Sequence, residues 1–112
     1  VFGCGGDRDR GKRPLMGHLA AEHSDLAIVT SDNPRTEDPD AIIDEIVQGM
    51  AGLPHRRITD RLAAIHAALN EARAGDTVLL AGKGHETYQI VGTVKLDFDE
   101  REIVQRAVRG KR

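Results

Sequence analysis

Residues 31–36, Ser31-Asp32-Asn33-Pro34-Arg35-Thr36, put an amide and a guanidinium on one short stretch. Pro34 fixes its own φ and pushes Asn33 toward extended geometry, so the turn is stiff and its side chains are held in set directions. A guanidinium is a rigid planar fork of donors, and a carboxylate is its matching partner. Residues 82–86, Gly82-Lys83-Gly84-His85-Glu86, offer the complementary chemistry. Their glycines permit close backbone approach, and the Glu86 carboxylate could hold an ammonium group. Residues 3–14 form a glycine-rich loop in which Arg8, Lys12 and Arg13 could meet anionic groups. Together, Arg8, Asn33 and Arg35 would take carboxylates while Gly82 and Glu86 would take an amine, which describes a pocket for a zwitterion. Each loop also has a plainer reading: a polar turn with an exposed arginine, a solvated basic loop, and an exit loop whose His85 is a structural neighbour rather than a base.

Two nucleotide motifs nearly fit the first loop, and both fail. A dinucleotide fingerprint starting at Gly3 needs a third glycine where Arg8 stands, and a phosphate loop starting at Gly6 has Arg13 in place of the Ser or Thr that would bind magnesium. His18, His23, His55, His66 and His85 share no metal-ligand spacing with one another or with Cys4, so no metal site is expected. Cys4 is the only cysteine, which excludes an intrachain disulfide, fits a reducing compartment and leaves Cys4 as a small buried filler. The 112 residues suit one domain. A net charge of −2 gives no whole-chain case for nucleic acid or an anionic membrane, and 3% aromatic residues are too few for a base-stacking surface. No run approaches transmembrane length.

These loops need elements to carry them. Val1 to Gly3 reads as the end of a strand, and residues 26–30 as a strand buried on both faces, because the run is apolar without alternation. Residues 77–81 read as a second such strand. The three candidate loops would then leave the carboxyl ends of three strands and open on one sheet edge, where open α/β sheets place their ligands. Between the strands the spacing predicts helices over 14–23, with Leu15, Met16, Leu19, Ala20 and His23 on one face, and over 39–50, with Asp38 as cap and Ile42, Ile43, Ile46, Val47 and Met50 inward. A short strand at 56–58 precedes a helix capped by Asp60 that runs to about Ala74, with Leu62, Ile65, Leu69 and Ala72 inward and Gly75 closing it. Residues 88–91 and 93–96 read as a hairpin around Gly92. Asp99 and Glu102 form a capping box for a last helix with Ile103, Val104, Ala107 and Val108 inward, and residues 110–112 read as a frayed tail. Alternating strands and helices imply βαβ units and a mostly parallel sheet.

Gly5-Gly6-Asp7-Arg8-Asp9, Gly11-Lys12-Arg13-Pro14, Asp32-Asn33-Pro34-Arg35 and Gly82-Lys83-Gly84-His85-Glu86, in that order, closely resemble the C-terminal domain of the Mur ligases. The resemblance runs over essentially all 112 residues, and the four motifs together are specific where one alone would be weak. Asp32-Asn33-Pro34-Arg35 resembles the specificity signature of the branch that adds meso-diaminopimelate to UDP-N-acetylmuramoyl-L-alanyl-D-glutamate in peptidoglycan synthesis. The resemblance implies a Rossmann-like, three-layer α/β/α fold with a mostly parallel sheet and a small C-terminal hairpin. It implies Arg8, Asn33, Arg35, Gly82 and Glu86 as diaminopimelate contacts, and Asp7 and Lys12 as helpers in closing the ATP site. It places no catalytic residue here. ATP and Mg2+ would be held by a central domain and the UDP-sugar by an N-terminal domain, both outside this chain. Residues 1–112 would be the C-terminal domain without its first strand and helix, and alone would be inactive. In the family, ATP phosphorylates the glutamate carboxyl, the incoming amine attacks the acyl phosphate, and phosphate leaves. A cytoplasmic, monomeric ligase is expected. A related Mur or folylpolyglutamate-type ligase with another amino acid, or a non-catalytic binding module, is the alternative.

Overall fold

Residues 27–29 are apolar without alternation because both faces of this segment are covered. The computed structural model describes residues 1–110. In it, β1 (Ala27–Val29) pairs in parallel with β2 (His55–Arg57), Ala27 against His55 and Val29 against Arg57. On the other side of β1, Phe2 bridges Val29 in parallel, with Phe2 N donating to the Ile28 carbonyl at 3.1 Å and Thr30 N to the Phe2 carbonyl at 2.8 Å. Residues 77–81 come next: Val1 N donates to the Leu79 carbonyl at 2.9 Å and Ala81 N to the Val1 carbonyl at 2.9 Å, the parallel pattern. The expectation of a second strand buried on both faces needs correction here. The stretch is not a regular strand, and Leu79 is 70% exposed although Val78 packs against the core. Among the described residues it has a backbone partner on one side only, which is the situation of a sheet edge.

Two helices cover one face. They are α1 (Lys12–Glu22) and α2 (Pro39–Val47), the latter running into a 3-10 turn (Gln48–Met50). Asp38 caps α2 by accepting from Asp40 N at 3.0 Å, with Pro39 in the first position. Ile42, Ile43, Ile46 and Met50 are buried against Phe2, Cys4 and Val29, as their spacing predicts. The opposite face is covered by α3 (Arg61–Glu71), where Ala64 and Ala68 pack on Ile28. Three layers result, and their helices sit on the two sides of a parallel sheet.

Two helix faces differ from expectation. In α1 the buried residues are Arg13, Gly17 and Ala21, while Leu15, Met16 and Leu19 are exposed. The reason is backbone proximity: a Cβ on Gly17 would fall 2.1 Å from the Ile46 carbonyl oxygen, and one on Gly49 would fall 1.8 Å from that of Pro14. α1 and α2 touch through glycines, so the leucines face away. In α3 the buried set is Arg61, Ala64, Ile65 and Ala68; Leu62 is exposed and Leu69 and Ala72 are half-buried. That rotation carries Arg61 under the sheet edge. α3 also ends at Glu71, so Gly75 (φ +92°) is not its closing residue but lies in the turn that joins Arg73 to Asp76.

The hairpin forms as expected: β3 (Tyr88–Val91) pairs antiparallel with β4 (Val94–Asp97) around Gly92 at φ +62°. Asp99 caps α4 (Glu100–Gly110), accepting from Arg101 N at 3.1 Å and Glu102 N at 3.4 Å. The returning half of the expected capping box is absent, because Glu102 pairs with Arg106 one turn on. Ile103, Val104 and Ala107 are only half-buried, and Val108 is exposed. Gly110 belongs to α4, and the rest of the expected tail lies outside the described residues. No helix of the described residues is long and apolar enough to cross a membrane.

Candidate functional site

The three loops leave one edge of the sheet, and buried cations tie them together. Gly6 N donates to the Asn33 carbonyl at 2.8 Å, and Arg35 Nη1 donates to the Gly6 carbonyl at 2.8 Å. This contact requires glycine: a Cβ on Gly6 would sit 1.7 Å from the Pro34 carbonyl oxygen. Asp7 accepts from Thr36 Oγ1 at 2.8 Å and from Thr36 N at 3.3 Å, and those bonds hold its carboxyl below the usual range. The first and second loops therefore close as one unit.

Beneath them Arg13 is buried. Nη1 lies 2.9 Å from Glu37 Oε2 and 3.0 Å from Glu45 Oε2, and Nη2 donates to the Gly5 carbonyl at 3.0 Å. The Arg13 hydrogen bond lowers the Glu37 carboxyl, and the Arg10 hydrogen bond lowers that of Glu45. Arg13 thus stands where a phosphate loop would carry its hydroxyl, but its charge is committed to two carboxylates. Arg61 does the same work at the far side, donating from Nε to Glu100 at 2.8 Å, from Nη1 to the Ser31 carbonyl at 2.9 Å and from Nη2 to the Ala81 carbonyl at 3.1 Å.

The third loop is joined by Lys83. Its side chain is 0% exposed, and Nζ reaches Asn33 Oδ1 at 2.8 Å, Asp32 Oδ1 at 2.9 Å and Glu86 Oε1 at 3.7 Å. Asn33 Oδ1 also accepts from Ile90 N at 3.0 Å, and Asn33 Nδ2 donates to Glu86 Oε1 at 3.4 Å. Glu86 Oε2 accepts from Tyr88 Oη at 3.4 Å. Gly82 turns at φ +105°, a conformation that favours glycine, and its missing Cβ would lie 3.7 Å from Asp32 Oδ2. The hairpin is docked on the same turn: Gln89 Nε2 donates to the Asp32 carbonyl at 2.7 Å, and Arg35 bridges Val91 in parallel.

Of the residues singled out from the sequence, Asn33 and Glu86 meet through their side chains, Gly82 lies beside Asp32, and Arg35 reaches the first loop at Gly6. Arg8 lies beside Arg35: its Cγ is 3.6 Å from the position a Gly5 Cβ would take, and Arg35 Nη1 is 2.9 Å from the same point. Asp32 faces Lys83, and Pro34 is buried between loops. Arg35 itself adopts φ +52°, a rare value for a side-chain-bearing residue, held by Arg35 N to the Ile90 carbonyl at 3.1 Å and Gly92 N to the Arg35 carbonyl at 2.6 Å. Among the described residues no carboxylate forms an ion pair with Arg35, nor any with Lys12, which stands exposed at the start of α1. His85 is exposed on its loop. Cys4 is buried against Met16 Sδ at 3.6 Å, and burial pushes its thiol up, which suits a filler and not a nucleophile. Nothing in the sequence marks Arg61 and Lys83 as buried, because charge is visible there and burial is not. A groove of about 740 Å³ between α3 and α4, lined by Leu62, His66, Phe98 and Ile103 among others, includes none of the converging residues.

The chain matches the family model of the Mur ligase, glutamate ligase domain, over residues 1–84. It is 60% identical over 109 residues to the UDP-N-acetylmuramoyl-L-alanyl-D-glutamate--2,6-diaminopimelate ligase of Synechocystis sp., covering 96% of this chain and 22% of that protein. It is 51% identical over 111 residues to the ligase of the same name from Bacillus cereus, covering 99% of this chain and 23% of that protein. A solved structure of such a ligase superposes with a TM-score of 0.93 at 49% identity, over 99% of this chain and 23% of the other. The chain therefore spans less than a quarter of the length of these relatives.

Proposed function

The chain belongs to the Mur ligase family, as its glutamate ligase domain, and from that premise we propose that it is the amino-acid-binding part of a longer ATP-dependent ligase. The ligase would join 2,6-diaminopimelate, in its meso form, to UDP-N-acetylmuramoyl-L-alanyl-D-glutamate; the relatives' names state 2,6-diaminopimelate for them. The supporting observation is the meeting of opposite chemistries on adjacent loops. Arg8 and Arg35 flank Gly5 and offer donors to a carboxylate, while Glu86 lies 3.4 Å from Asn33 Nδ2 and offers an acceptor to an ammonium group. The zwitterionic far end of diaminopimelate carries both. Gly82, beside Asp32, adds no side chain to the third loop.

ATP and the UDP-linked dipeptide would be substrates of the longer ligase, with Asp7 and Lys12 at the loop that helps close the nucleotide site. Among the described residues no three His, Cys, Asp or Glu side chains gather as metal ligands, and the residue at the magnesium position of a phosphate loop is the committed Arg13. The residues of this chain do not fit a magnesium site, and no step of the proposal passes through a metal held here. What the chain supplies is selection and positioning of the attacking amino acid.

Arg35 provides the test. Diaminopimelate has a carboxylate where lysine has hydrogen, so a site built for that carboxylate leaves Arg35 without its partner when lysine binds. In the full-length ligase, Arg35→Ala is expected to cut kcat/KM for diaminopimelate by a factor on the order of 10² to 10³, the loss of a charged bidentate pair. Lysine should lose little. Arg35→Lys should restore only part, since a point charge lacks the fork. Equal losses for both amino acids would remove the diaminopimelate reading.

A further inference from the structure

We propose that Lys83 is a positioning residue for the incoming amino acid: by taking Asn33 Oδ1 it fixes which way the Asn33 amide faces, and so turns a donor toward Glu86. The proposal rests on the function proposed above and adds a residue to it. A free carboxamide can flip, exchanging its oxygen and its NH2 at little cost. At Asn33 the flip is blocked twice. Its oxygen accepts from the Lys83 ammonium at 2.8 Å and from Ile90 N at 3.0 Å, and both donors lack any way to accept from an NH2 in return. The NH2 is therefore directed to Glu86 Oε1 at 3.4 Å. Asn33 is itself 4% exposed, so a wrong orientation would leave buried donors facing donors.

Lys83 also holds the second end of the site. Its Nζ stands 3.7 Å from Glu86 Oε1 and 2.9 Å from Asp32 Oδ1. The Glu86 contacts are all long, at 3.4 Å from Asn33, 3.4 Å from Tyr88 and 3.7 Å from Lys83, so the carboxylate is aimed without being saturated. An ammonium group of the ligand can then take the strong, short contact. One buried lysine thus sets a donor and an acceptor side by side, with no contact of its own to the substrate.

The experiment is steady-state kinetics of the full-length ligase, with KM measured separately for diaminopimelate and ATP. Lys83→Met keeps the length of the side chain and removes the ammonium. It is expected to raise the KM for diaminopimelate roughly 10- to 100-fold, the loss of an aligned charged contact, with the KM for ATP nearly unchanged. Because Lys83 acts in large part through Asn33, the variant that combines Lys83→Met with Asn33→Ala should lose clearly less diaminopimelate affinity than the product of the two single losses. Asn33→Asp is the second arm, needed if Lys83→Met does not fold. It retains an inward oxygen for Lys83 and Ile90 and replaces the outward donor with an acceptor, so it should fold and yet lose diaminopimelate by a similar factor. Additive losses in the combined variant, or equal rises in both KM values, would make Lys83 a support of the fold and overturn the proposal. So would an Asn33→Asp ligase with normal diaminopimelate affinity. If any of these occurs while Arg35→Ala still separates diaminopimelate from lysine, the proposal fails and the function stands; if Arg35→Ala fails too, the function falls with it.

Discussion

Arg13, Arg61 and Lys83 are each almost wholly buried, and each ends on carbonyl or carboxylate oxygens drawn from separate segments of the chain. Burying a cation is tolerable only when its charge is paired, so these residues can sit only where several oxygens converge, even though Arg13 Nε itself has no hydrogen-bond partner among the described residues. They fasten the loops to one another; in the function proposed above, Arg8, Arg35 and Glu86 would face the ligand. At this scale the sequence marks Arg8, Arg13, Arg35 and Glu86 by charge and by their place on loops, and is silent on the burial of Arg13, Arg61 and Lys83. An arginine after the cap Asp60, or a lysine between two glycines, has no mark in the sequence of where its head will lie. The positive φ of Arg35 was equally hidden, because it is imposed by the hairpin, whose docking on residues 32–35 no local pattern announces. The exposed group carries the next prediction. Glu86→Gln removes the charge that would meet an ammonium while preserving shape. In the full-length ligase, amino-acid affinity should fall roughly 10- to 100-fold, since a hydrogen bond to a charged group is worth about 1.5–3 kcal/mol. The KM for ATP should stay nearly constant. A matching fall in ATP affinity would assign Glu86 to the nucleotide instead.

The elements were legible where apolar residues decide the packing. α2 places Ile42, Ile43 and Ile46 inward because nothing competes with their burial, and β1 is covered on both faces as its composition requires. α1 misled because its contact face is made of Gly17 and Ala21, which carry no hydropathy signal, while its leucines lie outside. α3 misled because Arg61 fixes its rotation through polar bonds. The glycine contact of α1 can be tested directly. A Cβ on Gly17 would fall 2.1 Å from a backbone oxygen of α2, which cannot swing aside as a side chain could. Gly17→Ala gains about 1 kcal/mol in helix propensity. Overpacking costs about 1–3 kcal/mol and should exceed that gain, so the net effect is destabilising. Leu19→Ala, on the exposed face, should stay within about 0.5 kcal/mol. Thermal unfolding of the full-length ligase compares the two. A Gly17→Ala domain at least as stable as the Leu19→Ala one would refute close helix contact.

In the whole molecule, the first two loops and α2 form a unit that the third loop and the hairpin complete from the other side. Asp7 on Thr36, Arg13 on Glu37 and Glu45, and Arg35 on Gly6 fasten the first loop to the second. This rigid corner leaves Lys12 exposed at the head of α1 with no ion-pair partner among the described residues. The chain spans 22% of its Synechocystis sp. relative, and in the longer ligase proposed above most surfaces that could face Lys12 would lie outside residues 1–112. A solvated lysine on a rigid loop has the chemistry to meet a phosphate as a point charge when domains close. If it serves closure, its contact forms only in the closed state and belongs to the nucleotide, not to the amino acid. Lys12→Ala in the full-length ligase should therefore lower kcat/KM for ATP roughly 10- to 100-fold, the range of one charged hydrogen bond. The KM for diaminopimelate should be unaffected. Because such a contact is partly screened, the wild-type advantage should also shrink as ionic strength rises. Asp7→Asn supplies the contrast: it weakens the fastening of the loop and not the charge that meets phosphate, so its loss should be smaller and insensitive to salt. A Lys12→Ala ligase with unchanged ATP kinetics at low salt would remove the first loop from the closure of the nucleotide site.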